Sequence, residues 1–438
     1  MIDQSLPADS RLRQADFDFG VATSSFQIEG ATEVDGRQDS IWDAFCRQPG
    51  RILDGSDGSI ACDHFHRFES DIELIRELGF RHYRLSLAWP RLVTESGQLN
   101  PKGVDFYRRL LECCHAKGIQ PNVTLYHWDL PSSLTGGWLN RDTAYRFADY
   151  AALVTRQLGD LMPRVATLNE PWCSSILSYD LGAHAPGHEN RAEGLRAAHH
   201  LMLASGLGLQ AMRAERSDQS LGLVLNFEAL HVRHASDQSA RDLAHAERVR
   251  FWTDRLFNRT PAPELMAQGG DDEQPGDREI MAQPLDWLGV NYYTRSMVTQ
   301  ADNQRGYDCA PEGSVERTHI GWDIYPAGLT DILVELHQDY PLPPIYITEN
   351  GAACDDQWID GRVHDEQRQR YFQGHLAAVH DAIEQGVDIR GYYAWSLMDN
   401  FEWAFGYTQR FGLVYVDYDT QVRTLKDSAL DWQAFLRR

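Results

Sequence analysis

The chain has 438 residues, 42% of them hydrophobic, which is enough for one large buried core or for two or three ordinary domains. Its formal net charge of −23 argues against nucleic acid and against membrane surfaces as partners, because phosphates and anionic lipids would repel it. Seven cysteines without a Cys-x-x-Cys pair, and no recognisable secretory signal or membrane span, predict a reducing, cytoplasmic location.

Strand-like runs alternate with helical patterns along the chain. The runs are rich in β-branched, aromatic and aliphatic residues, and the stretches between them carry apolar residues three or four positions apart. A helix is predicted from Phe65 to Leu78, with Asp63 as its cap and Gly79 as its end. We predict eight strands: residues 17–24, 83–89, 122–127, 165–169, 221–226, 287–293, 345–348 and 391–397.

This alternation predicts an α/β fold of the (β/α)8 TIM-barrel type, with helices around a parallel strand core. Such barrels usually have about 250 residues, so the surplus is expected in long loops after the strands, where the functional site would lie. Residues 269–277, which are acidic and rich in glycine, and residues 301–317 are predicted to be surface loops. No linker divides the chain, and we predict that residues 1–438 form a single domain.

Two glutamates stand where predicted strands end. Glu170 follows the run 165–169 and precedes Pro171, and Glu349 follows the run 345–348 shortly before Gly351. In parallel barrels the carboxyl ends of the strands carry the chemistry. Two facing carboxyl groups are the usual means of cleaving a glycosidic bond. We therefore predict that Glu170 and Glu349 form a catalytic pair.

Further motifs follow one another along nearly the whole chain. They are residues 17–30 (FDFGVATSSFQIEG), 40–43 (SIWD), 62–67 (CDHFHR), 83–91 (YRLSLAWPR), 126–131 (YHWDLP), 167–171 (TLNEP), 182–187 (GAHAPG), 288–293 (LGVNYY), 321–326 (GWDIYP), 347–351 (ITENG), 394–403 (AWSLMDNFEW) and 425–428 (LKDS). In this ordered series the chain resembles glycoside hydrolase family 1, the retaining β-glucosidases. The resemblance implies an exo-β-glycosidase that needs neither a cofactor nor a metal ion.

The resemblance also implies roles for the two glutamates. Glu349 would attack the anomeric carbon and form a glycosyl-enzyme, while Glu170 would protonate the leaving oxygen and later deprotonate water. Arg84 and Tyr293 match family residues beside the nucleophile, and Arg84 would favour its charged form. The acid requires a raised pKa. Retention of configuration predicts carboxyl groups roughly 5 to 5.5 Å apart.

Seven residues match the family's sugar subsite: Gln27, His127, Asn169, Asn291, Trp395, Glu402 and Trp403. By the resemblance, Asn169 would bind the 2-hydroxyl, Glu402 the 4- and 6-hydroxyls, and Trp395 would lie under the ring. Gln27, His127 and Trp403 would bind the 3- and 4-hydroxyls.

Trp172 and Trp322 match positions at the aglycone entrance. Relatives that act on 6-phosphorylated glycosides have a serine in place of Glu402 and a lysine shortly after it, whereas here the next lysine is Lys426. A carboxylate at this position would repel phosphate. We therefore expect an unphosphorylated substrate, namely terminal β-D-glucosyl residues of cello-oligosaccharides and of aryl or alkyl β-glucosides. A role in cellulose degradation is expected as well, whereas side activity on β-galactosides and β-fucosides and a homo-oligomeric state are left open.

Other interpretations concern the class of protein. A non-catalytic sugar-binding protein on the same barrel would be expected to have lost Glu170 or Glu349, and both are present. Within the enzyme class, transglycosylation competes with hydrolysis. Cys173 is predicted not to be a nucleophile, since no base stands beside it in the sequence.

Several histidines and tryptophans are assigned structural roles. His64 and His66 resemble a metal pair, but no third ligand is evident. His64, His199 and His200 are therefore predicted to be hydrogen-bonded core residues. Large packing residues are predicted at Trp42, Trp89, Trp138 and Trp432.

Overall fold

Eight parallel strands form a closed barrel in the computed structural model, which describes residues 2, 6–269 and 272–437. The strands are β1 Asp18–Ala22, β2 His82–Ser86, β3 Gln120–Tyr126, β4 Arg164–Asn169, β5 Ser220–Val232, β6 Trp287–Gln300, β7 Ile345–Asn350 and β8 Ile389–Trp395. Their order in the sheet is β5-β4-β3-β2-β1-β8-β7-β6, and pairing of β5 with β6 closes it. The predicted (β/α)8 barrel is confirmed.

Helices follow the strands and cover the barrel. The longer ones are α1 His64–Leu78, α2 Pro101–Ala116, α3 Asp142–Leu158, α4 Arg191–Glu215, α5 Gln238–His245, α6 Ala327–Asp339, α7 Glu366–Glu384 and α8 Asp427–Leu436. A π-helical turn, Ala246–Arg250, and a short helix, Phe251–Leu256, continue α5. Further short helices are Ser25–Ile28, Ile41–Cys46, Trp89–Leu92, Pro263–Met266 and Asp277–Met281, and a second π-helical segment is Cys173–Asp180.

Alternation along the strands separates two apolar regions. In β5, Leu221, Leu223 and Leu225 point outward into the main core between strands and helices, whereas Val224 lies in the barrel interior with Tyr393 of β8. This is the period-two pattern of a strand with two buried faces. Residues beyond Val224 on the inner face therefore reach the rim of the barrel at the carboxyl ends of the strands.

The predicted helix ends are largely confirmed. Helix α1 ends at Leu78, and Gly79 follows with a φ of +90°, a left-handed conformation that glycine adopts without steric cost. Asp63 stands at the N-terminal cap position, but its carboxylate binds His66 and Arg67 instead of a backbone N–H. The capping bond expected for Asp63 is thus replaced by side-chain ion pairs.

The two predicted loops are partly wrong. Residues 301–317 contain the strand Tyr307–Ala310, which pairs antiparallel with the end of β6. In the loop 269–277, residues 270 and 271 lie outside the described residues, and Asp277 is buried against Arg141 and His199 at the start of a short helix. Two hairpins complete the strands, Trp358–Ile359 with Arg362–Val363 and Val414–Val416 with Arg423–Leu425.

The predicted core histidines are confirmed as structural. His64 Nδ1 lies 2.8 Å from Asp71 Oδ2, and His199 Nε2 lies 2.8 Å from Asp277 Oδ2. His200 Nδ1 donates to the Trp138 carbonyl at 2.8 Å. The predicted packing tryptophans are all buried: Trp42, Trp89, Trp138 and Trp432.

Among the described residues, none of the helices combines the length and apolar character needed to cross a bilayer. Within the same part of the chain, no group of three or more His, Cys, Asp or Glu side chains is arranged to hold a metal ion.

Candidate active site

The carboxyl ends of the strands surround a pocket of about 280 Å³. The loops and strand ends after β3, β4, β6, β7 and β8 bring ten of the predicted site residues to its wall: His127, Glu170, Trp172, Asn291, Tyr293, Trp322, Glu349, Trp395, Glu402 and Trp403. Gln27, Arg84 and Asn169 lie fully buried behind this wall and are hydrogen-bonded to residues that line it. The barrel thus gathers residues that are hundreds of positions apart in the sequence.

Glu349 lies in β7, beside Asn291 of β6 in the strand register. Its Oε1 is paired with Arg84 Nη1, and its Oε2 accepts a hydrogen bond of 2.6 Å from the Tyr293 hydroxyl. The Arg84 guanidinium is buried and also donates to Asn169 Oδ1 at 2.7 Å. A fixed cation and a hydroxyl donor therefore hold both oxygens of the Glu349 carboxylate and stabilise its negative charge.

Glu170 follows the last residue of β4 in an unusual backbone conformation. Its φ is +46°, in the left-handed region that residues with a side chain seldom adopt. The backbone N–H donates to the carbonyl of Val224 on the neighbouring strand at 3.0 Å. Strained conformations of this kind cost about 1–3 kcal/mol and persist where the surrounding structure enforces them. Here the conformation turns the chain at the rim, and the Glu170 side chain lines the pocket.

The environment of the Glu170 carboxyl group differs from that of Glu349. Its Oε1 accepts a hydrogen bond of 2.6 Å from Asn291 Nδ2, and its Oε2 accepts one of 3.0 Å from Cys173 Sγ. Among the described residues, no cation is bonded to either oxygen. Burial, followed by the charge of Glu349, raises the pKa of Glu170 to about 7. One carboxyl group is thus paired with a guanidinium, and the other holds a proton near neutral pH.

Asn169 links the two glutamates to His127. Its Oδ1 accepts hydrogen bonds from Arg84 and from Asn291 Nδ2, the latter at 3.0 Å. Its Nδ2 donates a hydrogen bond of 3.1 Å to His127 Nε2. Burial, followed by the charge of Arg84, holds the pKa of His127 well below its usual value. His127 is therefore neutral, and because its Nε2 accepts from Asn169, its proton lies on Nδ1.

Gln27 and the loop after β8 form the other end of the pocket. Gln27 Nε2 donates to Asn400 Oδ1 at 3.0 Å and to the Phe401 carbonyl at 2.9 Å, and it lies 3.4 Å from Glu402 Oε2. Burial, followed by the charges of Glu349 and Glu170, raises the pKa of Glu402 to about 8. The Glu402 carboxyl group therefore holds its proton at neutral pH and can donate a hydrogen bond as well as accept one.

The pocket wall, which consists entirely of described residues, contains no lysine or arginine; its two histidines are His127 and His184, and burial lowers the pKa of both. Lys426 is buried elsewhere, where its Nζ donates to Asp356 at 2.5 Å and to Asp399 at 2.6 Å. Because Glu402 holds its proton, it does not repel phosphate as the sequence suggested. The expectation that phosphorylated substrates are excluded therefore rests chiefly on the absence of lysine and arginine from the pocket wall.

Several lining residues were not among the predicted site residues. They include Trp128, Cys173, His184, Asn226, Glu228 and Phe411. Asn226 ends the predicted strand 221–226 and Glu228 lies two residues beyond it, both with the inward-facing parity of Val224, and this position was the signal available in the sequence. Cys173 was considered only as a nucleophile, whereas the structure makes it a hydrogen-bond donor to Glu170.

Comparisons with known proteins agree with this geometry. The family description "Glycosyl hydrolase family 1" matches residues 10–438. A β-glucosidase of Agrobacterium sp. is 48% identical over 429 residues, covering 94% of this chain and 93% of that protein. A bifunctional β-D-glucosidase/β-D-fucosidase of Bifidobacterium breve is 44% identical, covering 95% and 96%.

Solved structures agree as well. The virulence factor SghA of Agrobacterium tumefaciens superposes with a TM-score of 0.94 at 44% identity, covering 99% of this chain and 98% of that one. A second structure of SghA, with the same TM-score of 0.94, contains its substrate analogue salicin. The chain is therefore a glycoside hydrolase of the β-glucosidase type and belongs to glycosyl hydrolase family 1.

Proposed function

We propose that the pocket hydrolyses terminal, non-reducing, unphosphorylated β-D-glucosyl residues by double displacement, with Glu349 as nucleophile and Glu170 as acid and base. The observation that carries this proposal is the unequal setting of the two carboxyl groups. Glu349 is paired with buried Arg84 and bonded to Tyr293, whereas burial beside Glu349 raises the pKa of Glu170 to about 7. Pairs of carboxyl groups with separated pKa values are the usual acid and base of glycosidases.

In the first step, a Glu349 oxygen forms a bond to the anomeric carbon while the bond from that carbon to the leaving oxygen breaks. The electron pair of the broken bond stays on the leaving oxygen, which takes the proton of Glu170. The product is a glycosyl-enzyme ester. Asn291 donates to Glu170 Oε1 and its Oδ1 accepts from Thr348, so its amide holds Glu170 in position.

In the second step, Glu170 takes a proton from water, whose oxygen attacks the anomeric carbon and releases Glu349. Two inversions give net retention. The mechanism predicts carboxyl groups about 5 to 5.5 Å apart, too close for a water molecule between them. An acceptor hydroxyl in place of water would give transglycosylation.

Sugar recognition is proposed for the polar groups at the closed end of the pocket. His127 presents its Nδ1–H, which has no hydrogen-bond partner among the described residues. Glu402 and Gln27 supply an acceptor and donor pair for the outer hydroxyls. Trp395, whose ring is stacked 6.0 Å from that of His127, would lie under the sugar, and Asn169 would bind the 2-hydroxyl.

The substrate range and setting are part of the proposal. We propose cello-oligosaccharides and aryl or alkyl β-glucosides as substrates, with Trp172 and Trp322 at the aglycone entrance. The fucosidase activity in the name of the Bifidobacterium breve relative supports β-fucosides as side substrates, and salicin bound to SghA supports aryl glucosides. We further propose that residues 1–438 form one catalytic domain that acts in the cytoplasm, contributes to cellulose degradation and requires no cofactor.

Initial rates on p-nitrophenyl β-D-glucoside and its 6-phosphate test the substrate class. We expect kcat/KM for the phosphate to be lower by about 100-fold or more, because a buried charge without a partner costs about 3 kcal/mol.

Glu402→Ser should reduce kcat/KM for the plain glucoside by about 10-fold to 100-fold, since a buried hydrogen-bonding partner of the sugar is lost. Exposed Glu95→Ser serves as the matched control. Preference for the phosphate would overturn the proposal, and an unchanged rate in Glu402→Ser would mean that the outer hydroxyls bind elsewhere.

The pH dependence of kcat/KM on cellobiose should report the acid. Only protonated Glu170 can donate to the leaving oxygen, so activity is present below its pKa and is lost as the pH rises through about 7. The charges that face this group are Glu349 with its partner Arg84, and Glu402 once it ionises. Rates measured from about pH 5 to pH 9 should show this basic limb. A profile that stays flat above neutral pH would contradict the assignment of Glu170.

A further inference from the structure

A charged cluster, two of whose four members line the pocket, lies outside the sugar subsite. It consists of Glu228, Arg248, Trp172 and Ser296, which we call the aglycone cluster. Glu228 Oε2 accepts from Arg248 Nη1 at 2.7 Å and from the Ser296 hydroxyl. The Arg248 guanidinium carbon lies 4.7 Å from the centre of the Trp172 ring. Such contacts hold an aromatic ring in one orientation.

The position of the cluster relates it to the leaving group. Glu170, the proposed acid, must face the leaving oxygen, and Trp172 follows it by two residues. Glu228 stands on β5, the strand next to β4, which Glu170 follows, and both glutamates line the pocket. The groups that flank the acid therefore flank the departing part of the substrate, on the side away from Gln27 and Glu402.

One oxygen of Glu228 remains available to a ligand. Both hydrogen bonds go to Oε2, and among the described residues none donates to Oε1. The Glu228 side chain is 24% exposed, whereas that of Arg248 is 14% exposed and does not line the pocket. The pocket thus meets the negative end of this ion pair, and the positive end stays behind it. Four carboxyl groups and no lysine or arginine face a substrate here: Glu170, Glu228, Glu349 and Glu402.

We propose that Glu228 determines the specificity for the aglycone: its Oε1 accepts hydrogen bonds from hydroxyl groups of a second sugar or a hydroxylated ring, and its charge excludes aglycones that carry a carboxylate. Arg248 and Ser296 position the Glu228 carboxylate, and Arg248 also supports the Trp172 ring. This inference rests on the proposed function, because it assumes that the pocket cleaves β-glucosides. It names the substrate class as glycosides with neutral, hydroxyl-bearing leaving groups.

The geometry also predicts how the preference can be reversed. Glutamine at position 228 has nearly the same shape but no charge, so Glu228→Gln leaves the Arg248 cation without its counter-ion directly behind the wall. A carboxylate on the aglycone would then be attracted by this unbalanced positive charge and could accept a hydrogen bond from the glutamine amide. Selectivity built from an ion pair therefore changes sign when its negative partner is removed, and this change depends on Arg248.

The test uses two aryl β-D-glucosides, 4-(hydroxymethyl)phenyl and 4-carboxyphenyl, whose leaving phenols have similar acidity. The wild-type enzyme should favour the hydroxymethyl compound in kcat/KM. In Glu228→Gln, the ratio of carboxyl to hydroxymethyl kcat/KM should rise by about 10-fold or more, the effect expected of one charge-assisted hydrogen bond. The further change Arg248→Met should cancel this rise. A ratio within about twofold of the wild type, or a rise that survives the loss of Arg248, would overturn the inference.

A second measurement needs no variant. If charge excludes the carboxyl compound, raising the salt concentration from about 0.01 M to 1 M should increase its relative kcat/KM in the wild-type enzyme, because added ions screen the partly exposed carboxylate of Glu228. A ratio independent of salt would count against exclusion by charge. Turnover of p-nitrophenyl β-D-glucoside by the wild-type enzyme distinguishes failure of the proposed function from failure of this inference. If there is no turnover, the proposed function is refuted. If there is turnover but the ratio of the two aryl glucosides is unaltered in Glu228→Gln, only the role of Glu228 is refuted.

Discussion

Glu349→Ala should lower kcat for p-nitrophenyl β-D-glucoside by at least about 10⁴-fold, because no other group can form the glycosyl-enzyme. The substitution also leaves space at the face of the sugar that Glu349 attacks. Added azide should enter this space and displace an activated leaving group, giving the α-glucosyl azide by a single inversion. Rates with and without azide, together with the configuration of the product, measure both effects.

Glu349→Gln is the matched control for this experiment. It removes the charge but keeps the side-chain volume and leaves no room for azide, so it should be equally inactive without rescue. Glutamine also keeps an acceptor for Arg84, which Glu349→Ala leaves as a buried cation without its partner. Thermal unfolding of both variants checks that each is folded. Turnover by a folded Glu349→Ala enzyme at more than about a hundredth of the wild-type rate would remove Glu349 from the nucleophile role.

Glu170→Ala should produce a loss that depends on the leaving group. For cellobiose, whose sugar leaving group needs a proton, kcat/KM should fall by about 10²-fold to 10⁴-fold. For 2,4-dinitrophenyl β-D-glucoside, which leaves without protonation, kcat/KM should fall by less than about 10-fold. The comparison uses kcat/KM because this ratio reports the first step, whereas kcat would also include the slowed attack of water. Equal losses on both substrates would exclude Glu170 as the acid.

Azide distinguishes Glu170→Ala from the Glu349 variant. In Glu170→Ala the glycosyl-enzyme still forms, so azide should capture it with a second inversion and give the β-glucosyl azide. The two variants are thus expected to yield opposite anomers. An α-azide from Glu170→Ala would mean that the two roles are exchanged. Glu170→Gln, which can accept from Asn291 as Glu170 does but cannot donate to an oxyanion as an acid, serves as the isosteric control.

The strand pattern of the barrel was predictable because local composition and period report burial. The run at 165–169 corresponds to β4, Arg164–Asn169, and the run at 345–348 to β7, Ile345–Asn350. The same reasoning ended β5 too early, at 226 instead of Val232. Beyond the rim, β5 continues to pair with β6 up to Val232 and Val298, after an irregularity in the register near Glu228. This extension depends on a partner strand distant in the sequence, and no local pattern reports it.

The sequence by itself determined the fold class, the family resemblance and a set of residues of which ten line one pocket. These follow from residue type and spacing, because strand and helix periods decide which residues face the core and which reach the rim. Only the tertiary structure decided the contacts between side chains: Cys173 beside Glu170, Arg248 behind Glu228, and Lys426 between buried aspartates. Such contacts join segments that meet only when the barrel closes, and their directions depend on backbone turns such as the positive φ of Glu170. For this reason the burial that raises the pKa of Glu170 and the ion pair that orients Glu228 are properties of the folded chain and not of any segment within it.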